Sequence, residues 1–454
     1  MKHKNDQRHA VPQSVQDPAI SQSQAASGSV RSARSRLLDN LLSLYLLQGL
    51  NYLIPLAVLP YLIRVLGVSG YGLVAFSQAF AQYFTILTDY GFNLSATRYI
   101  AVHKHDVTKI RSMFWQVLLI KLILGVVGFI ILLAFTLSLK RFSRDAGCFL
   151  WAYLAVLGNV LFPQWYFLGT EKMRYISIFT GIAKLASAGL LFLFVHHSDQ
   201  HVLAVALQSS GMLFAGLLGL GQALRQLDFR FEMPTMNQLM ATLADGWHLF
   251  LSTAAVSLYT NTNMVLVGLL AGNTQAGYFS AAEKLIRAMT GLITPITQVL
   301  FPHINGLLAQ SRELALRSIS RLLRIMTLIT LLPSAILLTF AYPVARLAFG
   351  AAAATGSVPV IRWIAFLPFL IAVSNVLGIQ TMLPFGMDRL FSRILIASGI
   401  INVLGGIALI SHFGATGAGI SVLITEFFVT AAMFIGLRAE GLHVITGSVR
   451  IYEA

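Results

Sequence analysis

Charged side chains stand inside strongly apolar stretches of this chain at Asp89, Lys121, Lys184, Glu283, Lys284, Arg287 and Glu426. An amide-rich run, Thr260-Asn261-Thr262-Asn263, interrupts another such stretch. An ionised group at the middle of a bilayer costs about 2.5–3.5 kcal/mol on insertion scales, so it faces a cavity or a partner. Lysine and arginine lining a cavity attract phosphate, one as a point charge and the other as a fork. Passage of a hydrophilic, anionic cargo across a membrane is the chemistry such residues would serve. Each also has a plainer reading. Glu283 and Arg287 share a helical face and can satisfy one another. Lys121 can snorkel to a nearby interface, whereas Lys184 and Glu426 lie deeper in their segments. Asp89, in Thr88-Asp89-Tyr90-Gly91-Phe92-Asn93, either lines a path or pairs with Arg98. Asn261 and Asn263 would serve helix–helix hydrogen bonding as readily as contact with a sugar.

Other chemistries find little support. The single Cys148 excludes an internal disulfide and any multi-cysteine metal site. His196, His197 and His201 are loosely spaced as metal ligands are, but they fall in a short loop between apolar segments, so no metal and no cofactor is expected. No GxxxxGK[ST] phosphate loop is present, which argues against direct ATP hydrolysis. No Ser/His/Asp or paired-carboxylate constellation stands out, so the chain does not read as an enzyme. A net charge of +15 raises the question of nucleic acid. The positive charges sit mainly in loops, where membrane insertion alone explains them.

The elements that must hold these residues are membrane helices. With 56% hydrophobic and 11% charged residues and a mean hydropathy of +0.74, the composition is not that of a soluble globular protein. About twelve segments reach the roughly 20 apolar residues that span a bilayer core. They lie near 41–65, 72–92, 113–137, 148–168, 175–195, 202–222, 247–271, 284–307, 323–342, 360–383, 391–411 and 416–437. One side of this arrangement carries most of the loop lysines and arginines. The other carries Arg64, Lys140, Arg141, Arg144, Arg346 and Arg362. The positive-inside rule therefore places both termini in the cytoplasm, and the Lys140–Arg144 cluster is the loop that goes against it. Residues 1–36 lack an apolar core and read as a disordered cytoplasmic tail; 438–454 form a second tail.

The hydrophilic stretch 223–246 divides the chain into six-helix halves, 37–222 and 247–437. Gly67-x4-Gly72 before the second segment matches Gly272-x4-Gly277 before the eighth. The same offset places Gln78 on Glu283 and Gln82 on Arg287. Because six is even, the halves would be parallel repeats related by an axis along the membrane normal, with cargo handled between them. Prolines at 55, 60, 163, 295, 302, 333 and 368 interrupt the segments. Each removes one intrahelical bond and permits a kink. Pro55 and Pro60, with Gly67, Gly72, Gly272 and Gly277, are the hinge candidates.

Several stretches resemble a known family. They are Asn51-Tyr-Leu-Ile-Pro55-Leu, Leu59-Pro60-Tyr61-Leu-Ile-Arg64-Val-Leu-Gly67, Asp89-Tyr-Gly-Phe-Asn-Leu-Ser-Ala-Thr-Arg98, Pro163-Gln-Trp165-Tyr-Phe-Leu-Gly169-Thr-Glu171-Lys-Met173, Leu300-Phe-Pro302-His303-Ile and the stretch from Asn375 through Asp388-Arg389 to Glu426. Together they resemble the bacterial lipid-linked oligosaccharide flippases of the Wzx type, within the multidrug/oligosaccharidyl-lipid/polysaccharide exporter superfamily. Leu168 stands where the family usually has glutamine. The resemblance covers roughly residues 37–437. It implies an all-α polytopic membrane protein with two six-helix lobes around a central cavity, in the bacterial inner membrane. The implied cargo is an undecaprenyl-pyrophosphate-linked repeat unit for O-antigen or capsule assembly, moved to the outer leaflet by alternating access. Implied partners are that lipid-linked oligosaccharide, membrane lipids, a polysaccharide polymerase and a chain-length regulator, with H+ or Na+ as the coupling ion left open. Two other readings stand beside it: an ion-coupled exporter of small organic cations, and a membrane polymerase acting on the same lipid.

Overall fold

The computed structural model describes residues 18–291 and 293–449. Sixteen α-helices follow in order. They are α1 Pro18–Asp89, α2 Phe92–Val102, α3 Val107–Ser138, α4 Lys140–Ser143, α5 Ala146–Leu161, α6 Gln164–Gly169, α7 Arg174–Phe194, α8 His201–Gln226, α9 Met236–Leu270, α10 Asn273–Gly291, α11 Thr294–Gln310, α12 Arg312–Thr339, α13 Ala341–Phe349, α14 Ala351–Ile364, α15 Leu367–Leu377 and α16 Asp388–Ala439. A π-helical turn, Gly378–Met382, follows α15. Two short strands, Leu442–His443 (β1) and Ser448–Val449 (β2), pair antiparallel after α16. Of the expected tail, residues 1–17 lie outside the described residues and 18–36 are helical.

Two of the long helices are each two limbs. α1 breaks at Gly67 (φ 70°, ψ 168°) and α16 at Gly414 (φ 56°, ψ −132°). Both conformations belong to a region that only glycine enters cheaply. Pro55 and Pro60 lie inside the first limb without a non-helical residue. A proline in a helix interior forfeits one bond, whereas a chain reversal needs backbone angles closed to other residues, so the break falls at Gly67 rather than at the prolines. Other prolines do divide spans. Pro163 separates α5 from α6, Pro295 sits in the first turn of α11, and Pro368 in that of α15.

Eight helical stretches are long and apolar enough to cross a membrane among the described residues. Two of these, Tyr52–Val102 and Asp388–Ala439, contain the glycine breaks. With their limbs counted singly, and with α9 and the α10–α11 pair added, the helices account for the segments read from the sequence. The outward faces are apolar, with Ile123, Val126 and Ile130 on α3 and Leu328, Leu332 and Ile336 on α12 all exposed. That is the surface a lipid environment requires, and helices satisfy their own backbone within it.

Helix ends are set by local chemistry. The Asp106 carboxylate accepts from Lys109 N at the start of α3, and Thr235 forms a capping box with Gln238 at the start of α9. The connection between the halves is consequently non-helical only from about 227 to 235. α8 and α9 take up the rest of the stretch expected as linker. The end of the chain folds back: Ser320 Oγ donates to Ile445 O at 2.7 Å, and Leu442 and Val444 are buried beside α12.

Candidate functional site

The two halves meet along a seam formed by α1 against α9 and α10. At one end, a Cβ on Gly72 would lie 1.8 Å from Asn273 O and one on Gly277 would lie 2.2 Å from Val68 O. The two equivalent glycine turns therefore press backbone against backbone, and no larger residue fits either position. Further along, the Phe76 ring lies flat on Gly268, and the Tyr83 hydroxyl bonds the Thr262 hydroxyl at 2.8 Å. At the other end Tyr90 stacks on Phe250, with centroids 4.8 Å apart and an interplanar angle of 9°. There Gly91 lies under Leu249, where a Cβ would come within 2.8 Å. Tyr71 adds a 3.0 Å bond to Ser280, and its ring faces the Lys284 ammonium at 5.2 Å. The hinge candidates thus divide in two. Gly67 and Gly272 (φ 70° and 87°) supply the turns, and Gly72 and Gly277 supply the close contact.

The first half holds a buried charge cluster. Lys121 Nζ donates to Asp89 Oδ1 at 3.0 Å, to Asn159 O at 2.9 Å and to Asn159 Oδ1 at 3.1 Å, with its side chain 2% exposed. Asn159 O would ordinarily accept from the amide four residues on, but that residue is Pro163, which has none. Phe162 N supplies only an i→i+3 bond at 3.2 Å. The proline thus frees a carbonyl lone pair, and the lysine ammonium takes it. Asp89 pairs with Lys121 rather than with Arg98, which is exposed on α2. Sequence reading missed Asn159; its position four residues before a proline was the available signal.

The second half holds a cavity of about 380 Å³. Its polar wall includes Thr260, Asn263, Glu283, Arg287, Ser374 and Glu426, set among isoleucine, leucine, valine and phenylalanine side chains. Arg287 grips Glu283 Oε1 through Nη2 (2.8 Å) and Nε (3.1 Å) and reaches Thr260 O at 3.4 Å. Glu426 accepts from Ser374 Oγ at 2.6 Å and is buried. Asn263 Nδ2 donates to Asn402 Oδ1 at 2.9 Å, while its own Oδ1 is buried with no hydrogen-bond partner. Asn261 is half-buried, and Lys184 is exposed on α7.

Six of the ten candidates therefore form two separate constellations, Asp89 with Lys121 and, within the second half, Asn263, Glu283, Arg287 and Glu426, while Arg98, Lys184, Asn261 and Lys284 belong to neither. Lys121 is neutralised by Asp89 and Arg287 by Glu283. Those two interior basics are therefore each held by a carboxylate, while Lys284 faces the Tyr71 ring. What the arrangement provides is a tightly packed seam with polar and ionised groups behind it on both sides.

Comparison with known proteins bears on the fold and on the family. A fold likeness extends to an inward-closed structure of the lipid II flippase MurJ (TM-score 0.68, 13% identity, covering 87% of each chain). It extends also to an inward-facing multidrug resistance MATE family transporter of the MOP superfamily (TM-score 0.64, 16% identity, 87% of this chain and 95% of that one). Nearer in sequence are two proteins named "Putative O-antigen transporter". One, from Escherichia coli (strain K12), is 36% identical over 89% of this chain and 97% of its own length. The other, from Shigella dysenteriae, is 31% identical over 87% and 98%. The family model described as Polysaccharide biosynthesis protein matches residues 37–308, more than half of the chain. An all-α polytopic membrane protein whose paired glycine turns close on one another, it belongs to the polysaccharide biosynthesis protein family.

Proposed function

We propose that the protein is a flippase that moves an oligosaccharide repeat unit, linked to undecaprenyl pyrophosphate, from the cytoplasmic to the periplasmic leaflet of the bacterial inner membrane. The observation that carries this reading is 36% identity, over 89% of this chain, to a protein named "Putative O-antigen transporter". The protein is a membrane transporter, not an enzyme: both relatives bear that name and are matched over nearly their whole length. The sugar head group would pass along the α1/α9/α10 seam while the polyprenyl tail stays in lipid. The two six-helix lobes, 37–222 and 247–437, would rock against one another so that the seam opens first at one end and then at the other, where the Gly67 and Gly272 turns part. The distribution of lysine and arginine supports a cytoplasmic location for both termini and an outer location for the Gly67 and Gly272 turns. Direction has a physical source. An anion leaving a negative interior gains roughly 2.3 kcal/mol per charge per 100 mV.

One observation favours a second reading, export of small organic cations. The second-half cavity is lined by two carboxylates, Glu283 and Glu426, against one guanidinium, Arg287. Deleting the gene separates the two. The flippase reading expects the lipid-linked repeat unit to accumulate on the cytoplasmic face, with loss of surface polysaccharide, and a plasmid copy to reverse both. Cation export predicts unchanged surface polysaccharide and raised sensitivity to cationic compounds.

A further inference from the structure

The basic cluster that runs against the charge rule, Lys140–Arg144, contains one residue that reaches across the seam. Arg141, on α4 in the first half, donates to Gly268 O through Nη2 (2.8 Å) and Nε (3.2 Å). Its Nη2 also bonds Asn273 Oδ1. Both partners belong to the α9–α10 turn of the second half, beside the Gly72/Gly277 contact. The carbonyl it takes is one the helix end leaves over. Ala271 N and Gly272 N both turn back to Val267 O, so the amide that would ordinarily serve Gly268 is spent elsewhere. Phe76, packed on Gly268, completes the seat, with the guanidinium 5.3 Å from its ring centroid. Burial lowers the Arg141 pKa, against the pull of Asp145. Arginine stays protonated regardless, so the contact holds a partly desolvated charge.

A further acceptor on the same side is already loosely engaged. Asp145, four residues along, accepts from Arg141 Nη1 at 3.5 Å, the long limit of a hydrogen bond. It moves with the first half and would remain beside the guanidinium if the seam parted. We propose that Arg141 is the latch of the outer end of the seam, and that opening this end releases Gly268 O and Asn273 and leaves the guanidinium free to close fully on Asp145. The latched state satisfies a stray carbonyl of the second half; the unlatched state keeps the charge paired. Gly268 O and Asn273 are held only in the closed state, whereas Asp145 is held loosely when closed and fully when open, so the variants push in opposite directions. Removing Arg141 or the Asn273 side chain weakens the closed state. Removing the Asp145 carboxylate weakens the open one.

The inference rests on the alternating-access part of the proposed function, but its test needs no cargo. Nitroxide labels on Ser69 and Thr274, both exposed on the facing turns, report the width of the outer end in full-length protein in lipid nanodiscs, in a Cys148→Ser background. A charge-assisted hydrogen bond contributes enough that Arg141→Ala should raise the ratio of wide to narrow distances by about 10- to 100-fold. Asn273→Ala should raise it less, and Asp145→Asn should bring it below the wild-type ratio. The proposal is overturned if Arg141→Ala leaves the distribution unchanged, or if Asp145→Asn widens it as Arg141→Ala does. The second outcome would mean that Asp145 only props the arginine in place. A cargo other than a lipid-linked sugar would appear in the deletion strain and would leave these distances as predicted, so the two readings fail separately.

Discussion

Replacing Lys121 by alanine should abolish transport and lower the thermal stability of the detergent-solubilised protein by an amount equivalent to about 3–5 kcal/mol, the usual cost of leaving one member of a buried ion pair behind. The side chain makes three hydrogen bonds while almost wholly buried, so its loss strands the Asp89 carboxylate and the Asn159 amide together. The double variant Asp89→Asn/Lys121→Met removes both charges and should recover most of the stability. What remains is the weakened carbonyl of Asn159, about 1–3 kcal/mol for an unsatisfied polar group. Adding Pro163→Ala should then recover part of that remainder, because it restores an amide four residues beyond Asn159. Melting curves of the four proteins decide this. A Lys121→Ala protein as stable as wild type would show that the lysine merely snorkels, as its position near a segment edge allowed.

A second large effect is expected at the paired glycines. Gly72→Ala places a methyl group 1.8 Å from Asn273 O, and Gly277→Ala places one 2.2 Å from Val68 O. Both obstacles are backbone and cannot rotate away, so the turns must separate. Each single variant should hold the outer end apart and reduce transport to background. The double variant should be no worse than either, since all three break one contact. Complementation of the deletion strain measures the loss, and the Ser69–Thr274 distance measures its cause. Normal transport by Gly72→Ala would show that the seam does not close there during the cycle.

The sequence carried the helices well because membrane spans are fixed by apolar length, which needs no tertiary information. The glycine repeat was legible for a similar reason: both copies sit at turns, and turns with positive φ leave glycine as their trace. That the two copies touch one another could not be read, because contact between distant turns depends on how the halves pack. The charged residues were found, but their partners were not. Asp89 had an arginine nearby in sequence, yet the structure gives it Lys121, a helix away, because pairing in a bundle follows helix faces rather than chain distance. Of the hinge candidates on α1, the chain reverses at Gly67 and not at Pro55 or Pro60, because a lost hydrogen bond bends a helix less than a glycine turn reverses it. Arg141 stood out only as a charge on the wrong side of the membrane. The carbonyl that holds it is an accident of how α9 ends, and no residue type announces that.

A protein that carries the sugar head group of a lipid-linked oligosaccharide across the bilayer should do so alone, once purified. The most direct test reconstitutes the purified full-length protein in vesicles containing a fluorescent polyprenyl-diphosphate oligosaccharide in both leaflets, and follows how much becomes accessible to a membrane-impermeant reagent outside. Nearly all of the lipid should become accessible in vesicles with the wild-type protein, and only the outer-leaflet half in protein-free vesicles and in vesicles with Gly72→Ala. Half-accessibility with the wild-type protein, in vesicles where the Ser69–Thr274 distances show a properly folded outer end, would contradict it.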